Sequence, residues 1–307
     1  MLDVGAFPRL QKLIGAARSN TAIAIVCPCD TLSLQAARNI VDREVARPIL
    51  VGPRDVILRA ADNAEINARD FEIIDTPVAS AAQDAVALAR DGAVAALMKG
   101  SLHTDALMSL IVARHNGLRT EARISHAFVF DLPRYHKLLA LTDCVVNIAP
   151  TLQTKHDILR NALALLRSLD VRQPKVGIIA AVETVNPLIP ATVDAHALAA
   201  GDWGDAIIEG PLGFDNAISA DAARVKGIAS RIAGDPDLLL VPDLNAGNML
   251  YKSFVYVGGG ECAGVVLGAR VPVVLTSRAD SALARVASVA LAVTTARVTQ
   301  AEADRYA

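Results

Sequence analysis

Aromatic side chains are scarce in this sequence: they make up 4% of the 307 residues, although 53% of the residues are hydrophobic. The core must therefore be aliphatic, which is typical of parallel sheets covered by helices. The four cysteines lack the spacing of a disulfide framework or a zinc site. Two of them form Cys27-Pro28-Cys29 after a predicted strand, and we interpret this pair as packing.

Strong charge and long apolar runs are also missing. The formal net charge of −2, without a basic stripe, argues against a nucleic-acid or membrane-surface partner. The longest apolar runs have the length of strands and are too short to span a membrane. Residues 1–12 lack the basic start and apolar stretch of a secretory signal, so we expect a cytoplasmic protein.

Helical and strand-like periodicity alternate along almost the whole chain, which predicts βα units in parallel sheets and about two domains. Predicted helices cover residues 31–46, 81–90, 154–169, with Thr154 and Asp157 as a capping box, and 280–296. Predicted strands cover residues 21–26, 48–51, 71–75, 93–98, 144–148, 176–182, 206–208, 238–241, 263–267 and 271–275. No linker separates the halves, so we expect a small-molecule site in a cleft between them.

Polar residues that directly follow a predicted strand are the candidates for ligand binding, because ligands of α/β sheets collect at the carboxyl ends of strands. Lys99, followed by Gly100 and a helix start, predicts an anion site, although a solvated lysine is the alternative. Arg119 and Ser125 flank another strand. His126 opens that strand and is at least as consistent with a core histidine as with a catalytic one.

Three further loops combine glycine or serine with carboxylate and amide groups. Residues 209–216 and 241–248 both follow strands, and together they resemble one wall of a cleft. Ser277, Arg278 and Asp280 lie between a strand and the last helix, where they could bind a phosphate or an oxyanion. Helix capping by Ser277 or Asp280 is the alternative. A G-x-G-x-x-A match at residues 258–263, after the strand-like residues 254–257, lacks a full helix behind it and is a weak dinucleotide signal.

Taken together, these segments resemble the phosphate acetyl/butyryltransferase family in order and spacing. The matching segments are MKG at 98–100, GLRT at 117–120, ISH at 124–126, ETVN at 183–186, GPL at 210–212, VPDLNAGNM at 241–249 and TSRAD at 276–280. The resemblance covers nearly the whole chain, and the last two segments are its most specific parts.

The resemblance implies the two-lobed α/β fold of the isocitrate and isopropylmalate dehydrogenases, with mostly parallel sheets flanked by helices and one domain inserted in the other. We expect residues 1–140 plus 276–307 to form the first domain and 141–275 the inserted domain. The resemblance also implies a homodimer that needs no metal and no tightly bound cofactor. Its substrates would be coenzyme A, acyl phosphate and inorganic phosphate.

The implied reaction is direct attack of the CoA thiolate on the acyl-phosphate carbonyl, without a covalent acyl-enzyme. Ser277 would hydrogen-bond the thiol sulfur and Arg278 would hold the phosphate and the carbonyl oxygen. Asp280 would help to deprotonate the thiol. The resemblance implies substrate binding by Lys99, Arg119, Ser125, Asn186, Asp215, Asp243, Asn245 and Asn248.

Two points stay open at the level of the sequence. The resemblance to the acetyltransferase branch implies a catalytic carboxylate farther along the last helix, where this chain has Ala284 and Arg285. Asp243 and Asp215 are therefore alternatives to Asp280 as the base. Lys99 and Arg119 resemble the residues of the butyryltransferase branch, so acetyl transfer and butyryl transfer are both candidate reactions. A catalytically silent CoA-binding relative is the alternative function, and a hydroxy-acid dehydrogenase of the same fold is a more distant one.

Overall fold

A computed structural model describes residues 6–306, and the side chains of all of these except 116 and 299–306. The described residues form two compact units. Unit 1 contains the chain up to Ala122 and from Cys262 onward, and unit 2 contains Arg123–Glu261. Unit 2 is thus inserted in the sequence of unit 1. None of the described helices is long and apolar enough to cross a membrane.

Unit 1 contains a mostly parallel sheet. Its strands are β1 (Ala22–Val26), β2 (Arg47–Gly52), β3 (Glu72–Asp75), β4 (Ala96–Lys99), β10 (Glu261–Leu267) and β11 (Val273–Val274). They lie in the order β3-β2-β1-β4-β11-β10, and only the pair of β10 with β11 is antiparallel. Because β4 and β11 are parallel neighbours, the loops that follow them leave the sheet at the same edge.

Helices cover the sheet of unit 1. They are α1 (Pro8–Ala17), α2 (Thr31–Asp42), α3 (Arg54–Asn63), α4 (Val78–Arg90), α5 (Thr104–Val112) and α11 (Ala282–Tyr306). Every residue of α11 from Leu283 to Val293 is buried, since this helix packs against α1, α2, β4 and β11. A helix that is apolar on nearly all sides is typical of the middle of a core.

In unit 2, five strands lie side by side in the order β5-β6-β9-β7-β8. Its strands are β5 (Ser125–Asp131), β6 (Leu139–Thr142), β7 (Lys175–Ile179), β8 (Ile207–Leu212) and β9 (Leu238–Leu240). The pair of β5 with β6 is antiparallel and the other pairs are parallel. Its helices are α6 (Leu152–Ser168), α7 (Pro190–Ala199), α8 (Phe214–Ile218), α9 (Ala220–Val225) and α10 (Leu244–Lys252). The predicted fold class, an α/β fold with mostly parallel sheets flanked by helices, is confirmed.

The contacts divide the chain at other residues than the predicted domain limits of 140 and 275. Residues 123–140 belong to unit 2, because β5 pairs with β6, with Ala127 opposite Thr142. Residues 262–275 belong to unit 1, because β11 pairs with β4. Residues 1–5 and 307 of the predicted first domain lie outside the described residues.

Two predicted strands are wrong. Residues 144–148 form a turn, because the Asp143 carboxylate accepts hydrogen bonds from the backbone N–H groups of Val145 and Val146 that a sheet would need. The strand-like segment Ser253–Val257 is a turn of π-helix that continues α10. The predicted cap at Thr154 is also displaced: Thr151 caps α6 and accepts from the Thr154 N–H.

Candidate active site

The loop after β4 is held tightly against the end of β1. The Ser101 hydroxyl donates to the Cys27 carbonyl at 2.7 Å, and the Gly100 N–H donates to the Val26 carbonyl at 2.8 Å. A Cβ at Gly100 would lie 2.4 Å from the carbonyl oxygens of both Val26 and Cys27. Only glycine fits there without a shift of the backbone, so the sequence Lys99-Gly100-Ser101 reflects a close approach of two loops.

Lys99 lies half-buried at the start of this loop and donates to the carbonyls of Gly100 and Leu102 at 3.1 and 3.3 Å. Burial is the main cause that lowers the pKa of its ammonium group; Arg278 and Arg285 lower it further, while Asp30 and Asp280 raise it. These charges interact, so the loops after β4 and β11 and the first turn of α11 bring an ammonium group and two guanidinium groups into one neighbourhood. Such a group of cations favours an anionic ligand.

The loop after β11 has its own internal hydrogen bonds. The Ser277 N–H donates to Asp280 Oδ2 at 2.7 Å, and the Ala279 N–H donates to the Ser277 hydroxyl at 3.2 Å. Ser281 supplies the cap of α11, since its hydroxyl accepts from the Ala284 N–H at 2.9 Å. Helix capping therefore does not account for Ser277 or Asp280, which order the loop instead.

Asp280 is half-buried, and its burial raises the pKa of the carboxyl. The hydrogen bond from the Ser277 N–H and the charges of Arg285 and Lys99 oppose this shift but do not cancel it. A carboxylate with a raised pKa binds a proton more tightly than an ordinary aspartate. This property suits a proton acceptor, whereas an exposed surface aspartate lacks it.

Arg285 is a residue of this site whose role the sequence did not reveal. It is 6% exposed, and its Nη2 donates to the Ser277 carbonyl at 2.8 Å while Nε lies 3.3 Å from the Asp280 carbonyl. One guanidinium therefore binds both ends of the segment that contains Arg278. In the sequence, the one indication of a role was an arginine in the first turn of a helix that begins with a long apolar stretch. Its partners could not be predicted, because they are backbone carbonyls that come near only when the loop is folded.

Arg119 lies on an exposed segment of unit 1 beside the turn after β10. Its backbone forms a bridge with Ala269, and the Thr120 hydroxyl donates to the Gly268 carbonyl at 2.6 Å. These contacts fix the backbone on both sides of the Arg119 side chain, which is exposed.

A network around Asp143 orders the turn after β6 in unit 2. This carboxylate is 3% exposed and accepts from the Val145 and Val146 N–H groups and, at 2.6 Å, from Asn147 Nδ2. Asn147 Oδ1 accepts in turn from Arg123 Nε at 3.0 Å. Asp143 directly precedes the apolar run 144–148, and Asn147 lies within it. Because this run resembled a strand, neither residue was predicted to order a turn.

Ser125 and His126 begin β5 and are both buried. The Ser125 hydroxyl accepts a hydrogen bond from Asn161 Nδ2 at 2.9 Å, and both residues belong to unit 2. Burial lowers the pKa of His126 to about 4, against the opposing charge of Asp143. The imidazole is therefore neutral at neutral pH, which agrees with the core-histidine alternative.

The segment 243–248 forms the start of α10. Asp243 is the N-cap and accepts from the Ala246 N–H at 2.9 Å, whereas Asn245 is exposed in the first turn. Asn248 Nδ2 lies 3.4 Å from the Cys144 carbonyl, and a Cβ at Gly247 would lie 2.7 Å from the Asp143 carbonyl. The glycine thus lets α10 begin directly against the Asp143 turn.

Lys226 connects Asp215 to the loop that contains Asn186. Asp215 forms an exposed ion pair with Lys226 at 3.0 Å, and Lys226 also lies 3.5 Å from Glu183, in the loop that contains Asn186. Lys226 lowers the pKa of Asp215, so this carboxylate is a weaker base than Asp280. Asn186 Oδ1 accepts from the Leu188 N–H at 2.9 Å.

The predicted residues therefore fall into separate sets. In unit 1, Lys99, Arg278 and Asp280 interact electrostatically. In unit 2, the segment 243–248 packs on the Asp143 turn, and Asp215 shares Lys226 with the 183–186 loop. The roles of these residues, and their convergence on one cleft, stay predictions. Among the described side chains, no group of three or more His, Cys, Asp or Glu is placed to hold a metal ion.

Comparison with known proteins adds the family. Residues 67–293 match the model of the phosphate acetyl/butaryl transferase family. The chain is 47% identical to the phosphate acetyltransferase of Rhizobium meliloti over 291 aligned residues, and the alignment covers 92% of each protein. It is 36% identical to the phosphate butyryltransferase of Clostridium acetobutylicum over 275 aligned residues, and this alignment covers 88% of this chain and 91% of that protein. A crystal structure of a branched-chain phosphotransacylase from Enterococcus faecalis superposes with a TM-score of 0.81 at 30% identity, over 90% of this chain and 99% of that one. The chain therefore belongs to the phosphate acetyl/butyryltransferase family, whose members are transferases.

Proposed function

We propose that this protein transfers an acetyl group reversibly between coenzyme A and inorganic phosphate. The observation that carries the proposal is the cationic neighbourhood of Lys99, Arg278 and Arg285 beside Asp280, a carboxyl whose pKa is raised. It pairs an anion site with a proton acceptor at the ends of two adjacent strands. The 47% identity to a phosphate acetyltransferase favours acetyl as the group transferred.

In the proposed reaction, Asp280 accepts the proton of the CoA thiol, whose ordinary pKa of ~8.5 leaves it mostly protonated at neutral pH. The thiolate attacks the carbonyl carbon of acetyl phosphate. The C–O bond to phosphate then breaks, the leaving phosphate takes up the proton from Asp280, and acetyl-CoA and inorganic phosphate leave. Ser277 donates a hydrogen bond to the sulfur, and Arg278 binds the carbonyl oxygen as negative charge develops.

Lys99 and Arg119 are proposed to bind the phosphate, each from a segment fixed by backbone contacts. The proposed substrate contacts of unit 2 come from Ser125, Asn186, Asp215, Asp243, Asn245 and Asn248. Of these, Asn245 has the most accessible amide, whereas Asp243 is engaged as a helix cap. We therefore expect Asp243 to act through the position of α10.

Butyryl transfer is the second candidate, because the chain is also 36% identical to a phosphate butyryltransferase. The test is release of free thiol from acetyl-CoA and butyryl-CoA on addition of phosphate, without nicotinamide cofactor or metal. Faster release from acetyl-CoA supports the proposal, and faster release from butyryl-CoA replaces it with the second candidate. Binding of CoA without any release contradicts both and identifies a catalytically silent relative.

The quaternary state and location are proposed on the same family resemblance: a homodimer in the cytoplasm. Light scattering coupled to size-exclusion chromatography should give twice the mass of one chain. A mass of one chain at micromolar concentration contradicts the dimer.

A further inference from the structure

The segment Cys27-Pro28-Cys29 forms a tight turn directly after β1. Cys27 has a φ of 50°, in the left-handed region, and the Cys29 N–H donates back to the Cys27 carbonyl at 2.8 Å. The turn brings the two thiols close enough for each to shift the pKa of the other. A turn this tight places the two Cα atoms within the roughly 4.4–6.8 Å that a disulfide spans.

The two thiols are not equivalent. Cys27 is 2% exposed, whereas Cys29 is only half-buried and reachable by a small molecule. The neighbouring Cys27 thiol lowers the pKa of Cys29, and the Ser101 hydroxyl lowers it further, against burial and the charges of Asp30 and Asp55. The same interaction raises the pKa of Cys27. Cys29 also directly precedes Asp30, the N-cap of α2, and the positive end of a helix favours a thiolate.

The turn is joined to the anion-binding loop of unit 1. Ser101 donates to the Cys27 carbonyl through both its N–H, at 2.9 Å, and its hydroxyl, at 2.7 Å. The Cys29 N–H lies 3.3 Å from the Ser101 hydroxyl. A change of backbone conformation at residues 27–29 therefore moves Ser101 and, with it, the loop that begins at Lys99.

We propose that Cys29 is a redox-active thiol that reacts with low-molecular-mass disulfides, with Cys27 as its resolving partner. The Cys29 thiolate attacks a disulfide R–S–S–R, which releases one thiolate RS⁻ and leaves a mixed disulfide on Cys29. The Cys27 thiol then gives its proton to the released RS⁻, through water, and attacks the Cys29 sulfur. A second RS⁻ leaves, and an intramolecular disulfide between Cys27 and Cys29 remains. Two protein thiols are oxidised and one external disulfide is reduced to two thiols, so atoms and electrons balance.

Formation of the mixed disulfide also prepares the second step. Once Cys29 is no longer an anion, its charge and its acceptor sulfur stop holding the proton on Cys27. Burial alone then opposes the deprotonation of Cys27. The pair thus has an attacking and a resolving member that are fixed by their different exposure.

Incubation of the full chain with oxidised glutathione, followed by peptide mass spectrometry, tests the proposal without reference to enzymatic activity. The wild type should yield a peptide with a Cys27–Cys29 disulfide. Cys27→Ser should instead retain one glutathionyl group on Cys29, and Cys29→Ser should stay unmodified at Cys27. Cys27→Ala is a second trap variant should the buried serine impair folding, and Cys262→Ala is the control that should behave as the wild type. Recovery of both thiols unmodified from the wild type, or modification of Cys27 first, overturns the proposal.

The effect on the Lys99 loop is measured separately and depends on the proposed function. After removal of glutathione, the oxidised wild type should release thiol from acetyl-CoA at least roughly tenfold more slowly, since ångström-scale displacement of positioning groups has effects of this size. A reductant should restore the rate. An unchanged rate in the disulfide form overturns the coupling to the Lys99 loop. A protein that is inactive even when reduced contradicts the proposed function but leaves the disulfide result valid.

Discussion

Arg278 lies on the exposed loop between β11 and α11, and its guanidinium is close enough to Lys99 to lower the pKa of that ammonium. We predict that Arg278→Ala lowers kcat/KM for acetyl transfer by roughly 10²–10³-fold, as expected when a donor to a developing oxyanion is removed. The dissociation constant of CoA, measured by calorimetry, should change little. Arg59→Ala is the control, because Arg59 forms an exposed pair with Asp55 on α3. An unchanged rate in Arg278→Ala contradicts the assignment.

Asp280 allows activity and stability to be separated at one residue. Its pKa is raised above 3.8 in the folded protein by burial, so the folded state binds this proton more tightly than the unfolded state does. Its ionisation therefore lowers stability as the pH rises through these two pKa values, and the loss persists at neutral pH. The rate should change in the opposite direction, since only the ionised carboxylate accepts a proton.

We accordingly predict that Asp280→Asn raises Tm at neutral pH while it lowers kcat by roughly 10²–10⁴-fold. The gain in Tm over the wild type should shrink as the pH is lowered, since the wild-type carboxyl becomes protonated. Scanning calorimetry and thiol-release kinetics over one pH series measure both effects. Asp62→Asn, at an exposed position of α3, should change neither. A lower Tm in Asp280→Asn at neutral pH would show that the sign is wrong.

At the scale of elements, the contact between the loops after β1 and β4 depends on one missing side chain. We predict that Gly100→Ala lowers the free energy of unfolding by about 1–3 kcal/mol, because the new Cβ overlaps backbone carbonyls rather than flexible side chains. Gly15→Ala is the matched control: nothing lies within 4 Å of its Cβ position in α1, and alanine should stabilise that helix by about 0.5–1 kcal/mol. Urea unfolding of both variants measures the difference.

The turn after β6 depends in a similar way on the Asp143 carboxylate. Asp143→Ala removes the acceptor of the Val145 and Val146 N–H groups, and each donor left unpaired costs about 1–3 kcal/mol. Asp243→Ala removes a single capping bond and should cost only ~1 kcal/mol. We predict that urea unfolding shows a larger loss in the free energy of unfolding for Asp143→Ala than for Asp243→Ala. Equal losses in the two variants would show that the Asp143 network contributes no more than an ordinary cap.

Helix and strand periodicity was sufficient to predict most elements of both units, because buried strands and amphipathic helices carry their own local patterns. The rule that ligands meet the carboxyl ends of strands also selected Lys99 and Asp280 as candidates, and these two side chains interact electrostatically in unit 1. The residues that the sequence did not reveal, Arg285 and Asp143, act through contacts with backbone groups that come near only in the folded chain. The false strand at residues 144–148 has the same cause, since no local pattern shows that a carboxylate has taken the N–H groups.

At the scale of the whole molecule, substrates should stabilise the folded protein by mass action. We predict that CoA and phosphate each raise Tm, by an amount equivalent to about 2.7 kcal/mol at a ligand concentration of 100 times Kd. Lys99→Gln should reduce the shift caused by phosphate and leave the shift caused by CoA. Lys12→Gln, at an exposed position of α1, should retain both shifts. Loss of only the CoA shift in Lys99→Gln contradicts the phosphate role of Lys99.

The position of β11 in the sheet of unit 1 has a consequence for synthesis of the chain. β11 pairs with β4, yet the whole of unit 2 is translated between these two strands. A ribosome that has completed the inserted unit has therefore made β1, one neighbour of β4, but not yet β11, its other neighbour, or the buried helix α11. The first 122 residues must remain with an open sheet edge until the last part of the chain emerges. A nascent chain of this protein thus carries its exposed edge for longer than a protein whose units follow one another, and its yield should depend on chaperones that cover such edges.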